Sequence, residues 1–143
     1  MLELWYDGRD SLTIAIEPPG GADSPVRVAT GDSALVELPE GAVGVLNGVG
    51  GPQAINGDHV AMITIVDLEE GAPPLEGEWR ITVVRDSGTG DGEHHLWLVG
   101  GTFDNPVELA RLDGEGVTNS HVVGAPATAD RVIAVAAHAS RGE

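Results

Sequence analysis

The chain is built from short segments in which apolar and polar residues alternate, separated by turn-forming residues. Apolar side chains recur at every second position in residues 2–6 and 11–16, and Asp7-Gly8 supplies a turn between them. Six further segments follow at spacings of roughly 8–12 residues, and they are 26–28, 34–38, 42–46, 59–66, 77–84 and 94–99. The pattern predicts an all-β fold: an antiparallel, jelly-roll-like β-sandwich of about eight strands with little helix. One short helix is predicted at residues 106–112, after a capping Asn105.

The composition agrees with a fold rich in turns. Glycine (21) and proline (9) favour tight turns and disfavour long helices. Aromatic residues make up only 3% of the chain, so the core must consist mainly of Val, Ile, Leu and Ala. Trp79 and Trp97 alternate in phase with apolar neighbours, and we expect both to anchor the sandwich core. The chain has no cysteine, which excludes disulfides, thiol nucleophiles and thiolate metal sites.

The formal net charge is −16, with 23 acidic residues, seven arginines and no lysine. A field of this sign repels nucleic acids and anionic membrane surfaces, so neither is an expected partner. No apolar run approaches the roughly 20 residues of a membrane span. No signal peptide is visible at the N-terminus. Solvation of an acidic surface is one explanation of the charge, and attraction of a cation is another.

Calcium is the one cofactor for which the sequence offers candidate ligands. Asp86, Asp91 and Glu93 lie in a glycine-rich segment, and closely spaced oxygen donors suit this hard cation. The same residues are also ordinary turn formers, so both interpretations stand. A zinc site is not expected, because His94 and His95 point to opposite faces of a strand. The other three histidines show no ligand spacing.

The C-terminal segment resembles one protein family. Pro126-Ala127-Thr128-Ala129 is followed by an apolar run from Val132 to Ala137. This arrangement is similar to the segment of subtilisin-like serine peptidases in which a Pro-Gly-Thr-Ala turn precedes a Val-Ile-Thr-Val-Gly-Ala strand. The resemblance implies a strand of the catalytic α/β domain, although Ala136 stands where the family usually has glycine. Alone, such a strand would expose an apolar edge, and we expect it to pair with the sandwich, to form a homodimer or to be disordered.

Two upstream stretches resemble a β-rich domain inserted into some bacterial subtilases. They begin at Leu2 and at Gly77, with Leu-Trp-Tyr and Gly-x-Trp-x-Ile-x-Val patterns respectively. The resemblance implies that residues 1–112 are a jelly-roll-like insert and that residues 113–143 are a linker and strand of the parent's peptidase domain. The rest of that domain would then be a partner. A secreted or cell-surface parent follows from the resemblance alone.

The chain lacks the residues with which a subtilase cleaves peptides. The family needs an Asp-Ser/Thr-Gly turn, a His-Gly-Thr segment and a Gly-Thr-Ser-Met-Ala segment. Asp86-Ser87-Gly88 imitates the first, but neither of the others occurs. We therefore predict no catalytic residue and no enzymatic activity for this chain, and a serine endopeptidase as its parent. The expected role is structural, substrate-access or interaction. The alternative is an independent carbohydrate- or Ca²⁺-binding sandwich module, since jelly rolls often bind sugars on exposed aromatic side chains.

Overall fold

A computed structural model describes residues 1–21, 25–66, 74–99 and 112–113 of the chain. These residues form eight β-strands and no helix, which confirms the predicted all-β class. The strands are β1 (Leu2–Asp7), β2 (Asp10–Glu17), β3 (Val26–Ala29), β4 (Ser33–Leu38), β5 (Gly41–Asn47), β6 (Asp58–Val66), β7 (Arg80–Gly88) and β8 (His94–Leu98).

The strands form two antiparallel sheets. The larger sheet has the order β4-β5-β6-β1-β8, and the smaller has the order β3-β2-β7. The first strand pairs with the last and the second with the seventh, and β4 pairs with β5. The two antiparallel layers form a β-sandwich. The division into five and three strands departs from an even split.

The core consists of side chains that alternate along the strands toward the inner faces of the two sheets. In β1, every second residue from Leu2 onward is buried. In β2, Asp10 and every second residue after it are buried. The core is aliphatic apart from one tyrosine, as the composition predicted: Leu2, Leu4, Tyr6, Leu12, Ile14, Ala15, Ile16, Val26, Val28, Ala42, Val43, Val45, Ala61 and Ile63.

Two local predictions were wrong. The strand β7 continues through Asp86 and Ser87 to Gly88, whereas the predicted segment ended at residue 84, because Ser87 and Gly88 pair with Ser11 and Asp10 beyond a register shift at Asp86. Trp79 and Trp97 do not belong to the core, since both side chains are only half-buried. Trp79 precedes β7, and its Nε1 donates a hydrogen bond to the carbonyl oxygen of Leu75 at 3.1 Å.

The chain divides into two compact units, Met1–Ala110 and Arg111–Glu143. The predicted boundary at 112/113 assigned the second part to a peptidase domain, and that assignment stays a prediction. The helix predicted at 106–112, except its last residue Leu112, lies outside the described residues, as does the apolar run at 132–137 with its predicted homodimer. Within the described part of the chain, no helix is long and apolar enough to span a membrane.

Candidate functional site

A buried carboxylate at the start of β2 organises the turn between β7 and β8. Asp10 is 3% exposed. Its Oδ1 accepts hydrogen bonds from Arg85 Nη2 at 2.7 Å and from the Gly90 amide at 2.9 Å, and its Oδ2 accepts one from the Gly92 amide at 3.0 Å. Such charge-assisted bonds are among the stronger ones in proteins. The carboxylate therefore has a counter-ion and three donors from within the chain.

Arg85 completes this arrangement from the opposite side. Besides Asp10, its Nη2 donates to the carbonyl oxygens of Gly90 at 2.9 Å and Gly88 at 3.2 Å. Burial by itself raises the pKa of Asp10, but the hydrogen bonds from Arg85, Gly92 and Gly90 and the charge of Arg85 outweigh it and lower the pKa below its usual value. The cluster holds a turn in place and keeps its carboxylate ionised.

The three candidate calcium ligands do not converge in this turn. Asp86 lies on β7 and accepts a hydrogen bond from the Thr13 hydroxyl at 2.7 Å. Asp91 accepts one from the Glu93 amide at 2.9 Å, as a turn-forming aspartate does. Among the described residues there is no group of three or more His, Asp or Glu placed to hold a metal ion. Asp10, which the sequence analysis did not select, is the carboxylate around which the turn is built.

Replacing Asp10 by asparagine should make the stability of the fold depend less on pH in the acid range. Because the pKa of Asp10 is lower in the folded chain, its carboxylate stabilises the fold above the unfolded pKa of about 3.9 and loses this effect as the pH falls through the folded pKa. Thermal unfolding between pH 5 and pH 2 should show a smaller loss of Tm for Asp10→Asn than for wild type. Some acid sensitivity should remain, because the side chain of Arg9 lowers the pKa of Asp7 to about 2.

The matched control for this prediction is Asp91→Asn, which removes an exposed carboxylate from the same turn. Between pH 5 and pH 2, the Tm of this variant should fall as much as that of wild type. If the Tm of Asp10→Asn also fell as much as that of wild type, the buried ion pair would add no pH-dependent stability.

A second buried polar cluster links the two sheets. Asn47, at the end of β5, is fully buried, and its Nδ2 donates to the carbonyl oxygens of Leu12 and Val28, both at 3.0 Å. Its Oδ1 can only accept, so the Tyr6 hydroxyl donates to it at 2.8 Å. Thr30 lies 2.8 Å from the same tyrosine oxygen and also accepts from the Leu12 amide at 2.8 Å. The side chain of Asn47 thus joins β5 of one sheet to β2 and β3 of the other.

His59 borders this cluster. Its ring lies 5.1 Å from the Tyr6 ring, and it is 7% exposed. Its Nδ1 is buried without a hydrogen-bond partner among the described residues. The adjacent Gly48 has a φ of +61°, and a Cβ there would lie 2.9 Å from that nitrogen and 3.0 Å from the tyrosine oxygen. The backbone of Gly48 is therefore closely packed against His59 and Tyr6.

Aromatic side chains lie on the outer face of the larger sheet, which faces away from the core. Trp5 on β1 is directly opposite His95 on β8, and Trp97 is opposite Glu3. The rings of His95 and Trp97 stack with centroids 5.5 Å apart and an angle of 28°. Trp5 Nε1 points to Glu3 Oε2 at 3.4 Å. Because diagonal neighbours across a ladder lie within reach of aromatic side chains, Trp5 and Trp97 form one aromatic strip with an acidic member.

A shallow cleft of about 280 Å³ lies at the end of the smaller sheet, lined by Glu17, Pro18, Gly20, Gly21, Glu78 and Arg80. The arginine lies 3.8 Å from the carboxylate of Glu17 and 3.2 Å from that of Glu78. The cleft charges are thus paired with one another. We assign it no role.

The sequence carries a signal for both buried clusters. Asp10 has the same alternation phase as Leu12 and Ile14, and Asn47 has the same phase as Val43 and Val45. A polar residue in phase with a buried row is expected to point into the core. For Asn47 a second signal competes, because Asn-Gly is a typical turn pair.

Comparison of the chain with family models, curated proteins and solved structures finds no match.

Proposed function

We propose that the chain is a non-catalytic β-sandwich module of a subtilisin-like serine peptidase and that it acts through contacts with other molecules. One observation carries the proposal: the buried carboxylate and amide are used inside the fold, while aromatic and apolar side chains lie on the outer face of the larger sheet. Asp10 and Asn47 each have three hydrogen bonds to their side chains. Such groups stabilise a fold and are unavailable for acid–base chemistry.

Three roles fit a module of this kind in its parent. It would stabilise the catalytic domain by packing against it, restrict access of substrates, or hold a protein partner. Each role needs a rigid surface rather than reactive groups. The two sheets joined through Asn47 provide that rigidity. The subtilase-like segment after residue 113 supports a peptidase parent.

The coding sequence around this chain tests the proposed parent. We expect it to continue past Glu143 to a segment encoding Gly-Thr-Ser-Met-Ala, with the histidine and aspartate segments of a subtilase upstream. A stop codon directly after Glu143 would contradict the proposal. The purified chain should show no peptide hydrolysis, and hydrolysis abolished by a serine-directed inhibitor would contradict its non-catalytic character.

Carbohydrate binding is the second candidate function, and the aromatic strip is the observation that favours it. Trp5 and Trp97 lie diagonally across β1 and β8 on the outer face. Aromatic faces bind the apolar faces of sugar rings, and the carboxylate of Glu3 beside them would accept hydrogen bonds from sugar hydroxyls. The net charge of −16 disfavours anionic glycans.

A glycan array followed by calorimetry tests this candidate. If the strip binds a neutral oligosaccharide, Trp5→Ala should weaken binding about tenfold or more, because it removes one of the two aromatic faces on which a sugar ring would lie. Trp79→Ala is the matched control, because Trp79 precedes β7 outside the strip, and it should bind as wild type does. Glycan-array signals no higher than those of buffer would rule out carbohydrate binding. A calorimetric titration with Ca²⁺ that shows no heat of binding would rule out the calcium-binding alternative.

A further inference from the structure

Among the described residues, one edge of the larger sheet is a regular strand whose single charged residue is Glu37. In the described part of the chain, β4 is the terminal strand of its sheet and pairs only with β5. The ladder runs from the Ser33–Leu46 pair to the Leu38–Gly41 pair without a register shift. The strand contains neither proline nor lysine. Natural proteins commonly use prolines, lysines or bulges to prevent pairing at such an edge.

Apolar side chains continue from this edge onto the outer face. Leu35, in the middle of β4, is 76% exposed, and Leu46 on β5 is 50% exposed. The two lie diagonally across the ladder, since the direct partner of Leu35 is Gly44. Gly44 has no side chain, and Thr64 Oγ1 and Leu35 Cδ1 lie 2.7 and 3.7 Å from the position that a Cβ would take there. An added strand would cover Leu35 and continue the half-buried inner row Ala34, Val36 and Leu38.

The charge around the edge selects the kind of strand that would pair there. Glu37 lies on β4, and Asp32 and Glu40 flank the strand. None of the four arginines in the described residues lies on β4, β5 or β6, because they occupy the β1–β2 turn, β3 and β7. Two copies of a chain with net charge −16 repel each other, so charge opposes self-pairing and favours a basic strand.

We propose that the β4 edge is a docking site for an extended segment of a partner polypeptide that combines apolar residues with Lys or Arg. In antiparallel pairing, the partner presents apolar side chains opposite Ala34, Val36 and Leu38 on the inner side. On the outer side it presents an apolar residue opposite Leu35 and a basic residue opposite Glu37. Main-chain hydrogen bonds supply the affinity and these positions supply the specificity. The inference holds whichever parent the module has, so it does not rest on the proposed function.

A synthetic peptide with the sequence Arg-Val-Lys-Val-Leu-Val-Thr-Arg tests the proposal on the full chain. It should bind saturably, with an affinity that falls as the salt concentration rises from 50 to 300 mM. Amide shift changes in NMR spectra should be largest at residues 33–38 and 41–47. Leu35→Lys should weaken binding about tenfold or more, because it removes the apolar contact and adds a repelling charge. The same peptide with glutamate at the basic positions should not bind.

The matched control is Val84→Lys, which places the same charge at a 42% exposed valine on β7, an edge strand of the other sheet. Its affinity should stay within about twofold of wild type. Equal affinities of Leu35→Lys and wild type, or shift changes centred on β3, β7 or β8, would overturn the proposal. If Leu35→Lys fails to fold, the NMR shift changes that the peptide causes in the wild-type chain are sufficient to test the proposal.

Two other occupants of the edge give distinct results. A second copy would appear in sedimentation as a dimer that Leu35→Lys dissociates. The chain's own segment 114–143 would block the edge, so that the peptide binds only after this segment is removed. Either result would overturn the proposal of a basic partner strand.

Discussion

Asn47→Ala should lower the free energy of unfolding by about 3–5 kcal/mol, the largest loss we expect from a single side-chain truncation. The substitution removes three buried hydrogen bonds of 2.8–3.0 Å, two of which cross from β5 to the other sheet. It leaves the Tyr6 hydroxyl and the Val28 carbonyl oxygen without these partners, and it opens a cavity between the sheets. Denaturant unfolding followed by circular dichroism measures the loss.

Asn56→Ala is the matched control. The Asn56 side chain bonds only to neighbouring Asp58 and lies on the surface, so its loss should be below about 0.5 kcal/mol. Tyr6→Phe should cost about 1–2 kcal/mol, and the double variant with Asn47→Ala should cost less than the sum, because both remove the same bond. Additive losses, or an Asn47→Ala loss no larger than the Asn56 control, would show that the cross-sheet cluster does not act as a unit.

Gly88→Ala should destabilise the chain by about 2–4 kcal/mol. Gly88 has a φ of +133°, which side-chain-bearing residues rarely adopt, and its backbone lies directly against Asp10. A Cβ there would meet the Arg9 carbonyl oxygen and the Asp10 Cα, both at 2.5 Å, and would contact the Asp10 carboxylate. Because two of these contacts are with backbone, relief requires displacement of β2 from β7. Differential scanning calorimetry should show a clear fall in Tm.

Gly50→Ala separates the two causes of this loss. Gly50 also has a positive φ, +88°, but a Cβ there would have no atom within 4 Å. It should therefore cost only the conformational strain of about 1–2 kcal/mol. The excess loss of Gly88→Ala reports the close approach to the buried carboxylate. Equal losses at both glycines would mean that the turn around Asp10 adjusts without cost.

The sequence sufficed for the fold class because alternation and turn residues are local signals. Each of the eight strands contains an apolar row at period two, and the glycine and proline clusters between them mark their ends. The end of β7 was missed because Asp86-Ser87-Gly88 reads as a turn in isolation. Its extended form depends on pairing with Asp10 and Ser11, residues far away in the sequence.

The orientation of Trp97 shows a different limit. In β8, apolar residues occupy both phases, since Leu96 and Leu98 alternate with Trp97 and Val99. The period-two pattern therefore could not decide which row faces the core. The pairing with β1 decides it: Leu96 lies opposite the buried Leu4, which places Trp97 on the outer face. The candidate aromatic strip therefore depends on the long-range register between β1 and β8.

The position of β1 between β6 and β8 also sets the time at which this domain can fold. Leu2 pairs with Ile63 on one side and with Leu98 on the other. At a synthesis rate of about 5–20 residues per second, the first strand waits roughly 5–20 s for its last neighbour. Until then its edge is open, and so much non-local pairing gives slow folding, on the scale of milliseconds to seconds even for the finished chain. The β8 side of β1 therefore closes only after translation has passed Leu98, whereas its β6 side can pair earlier.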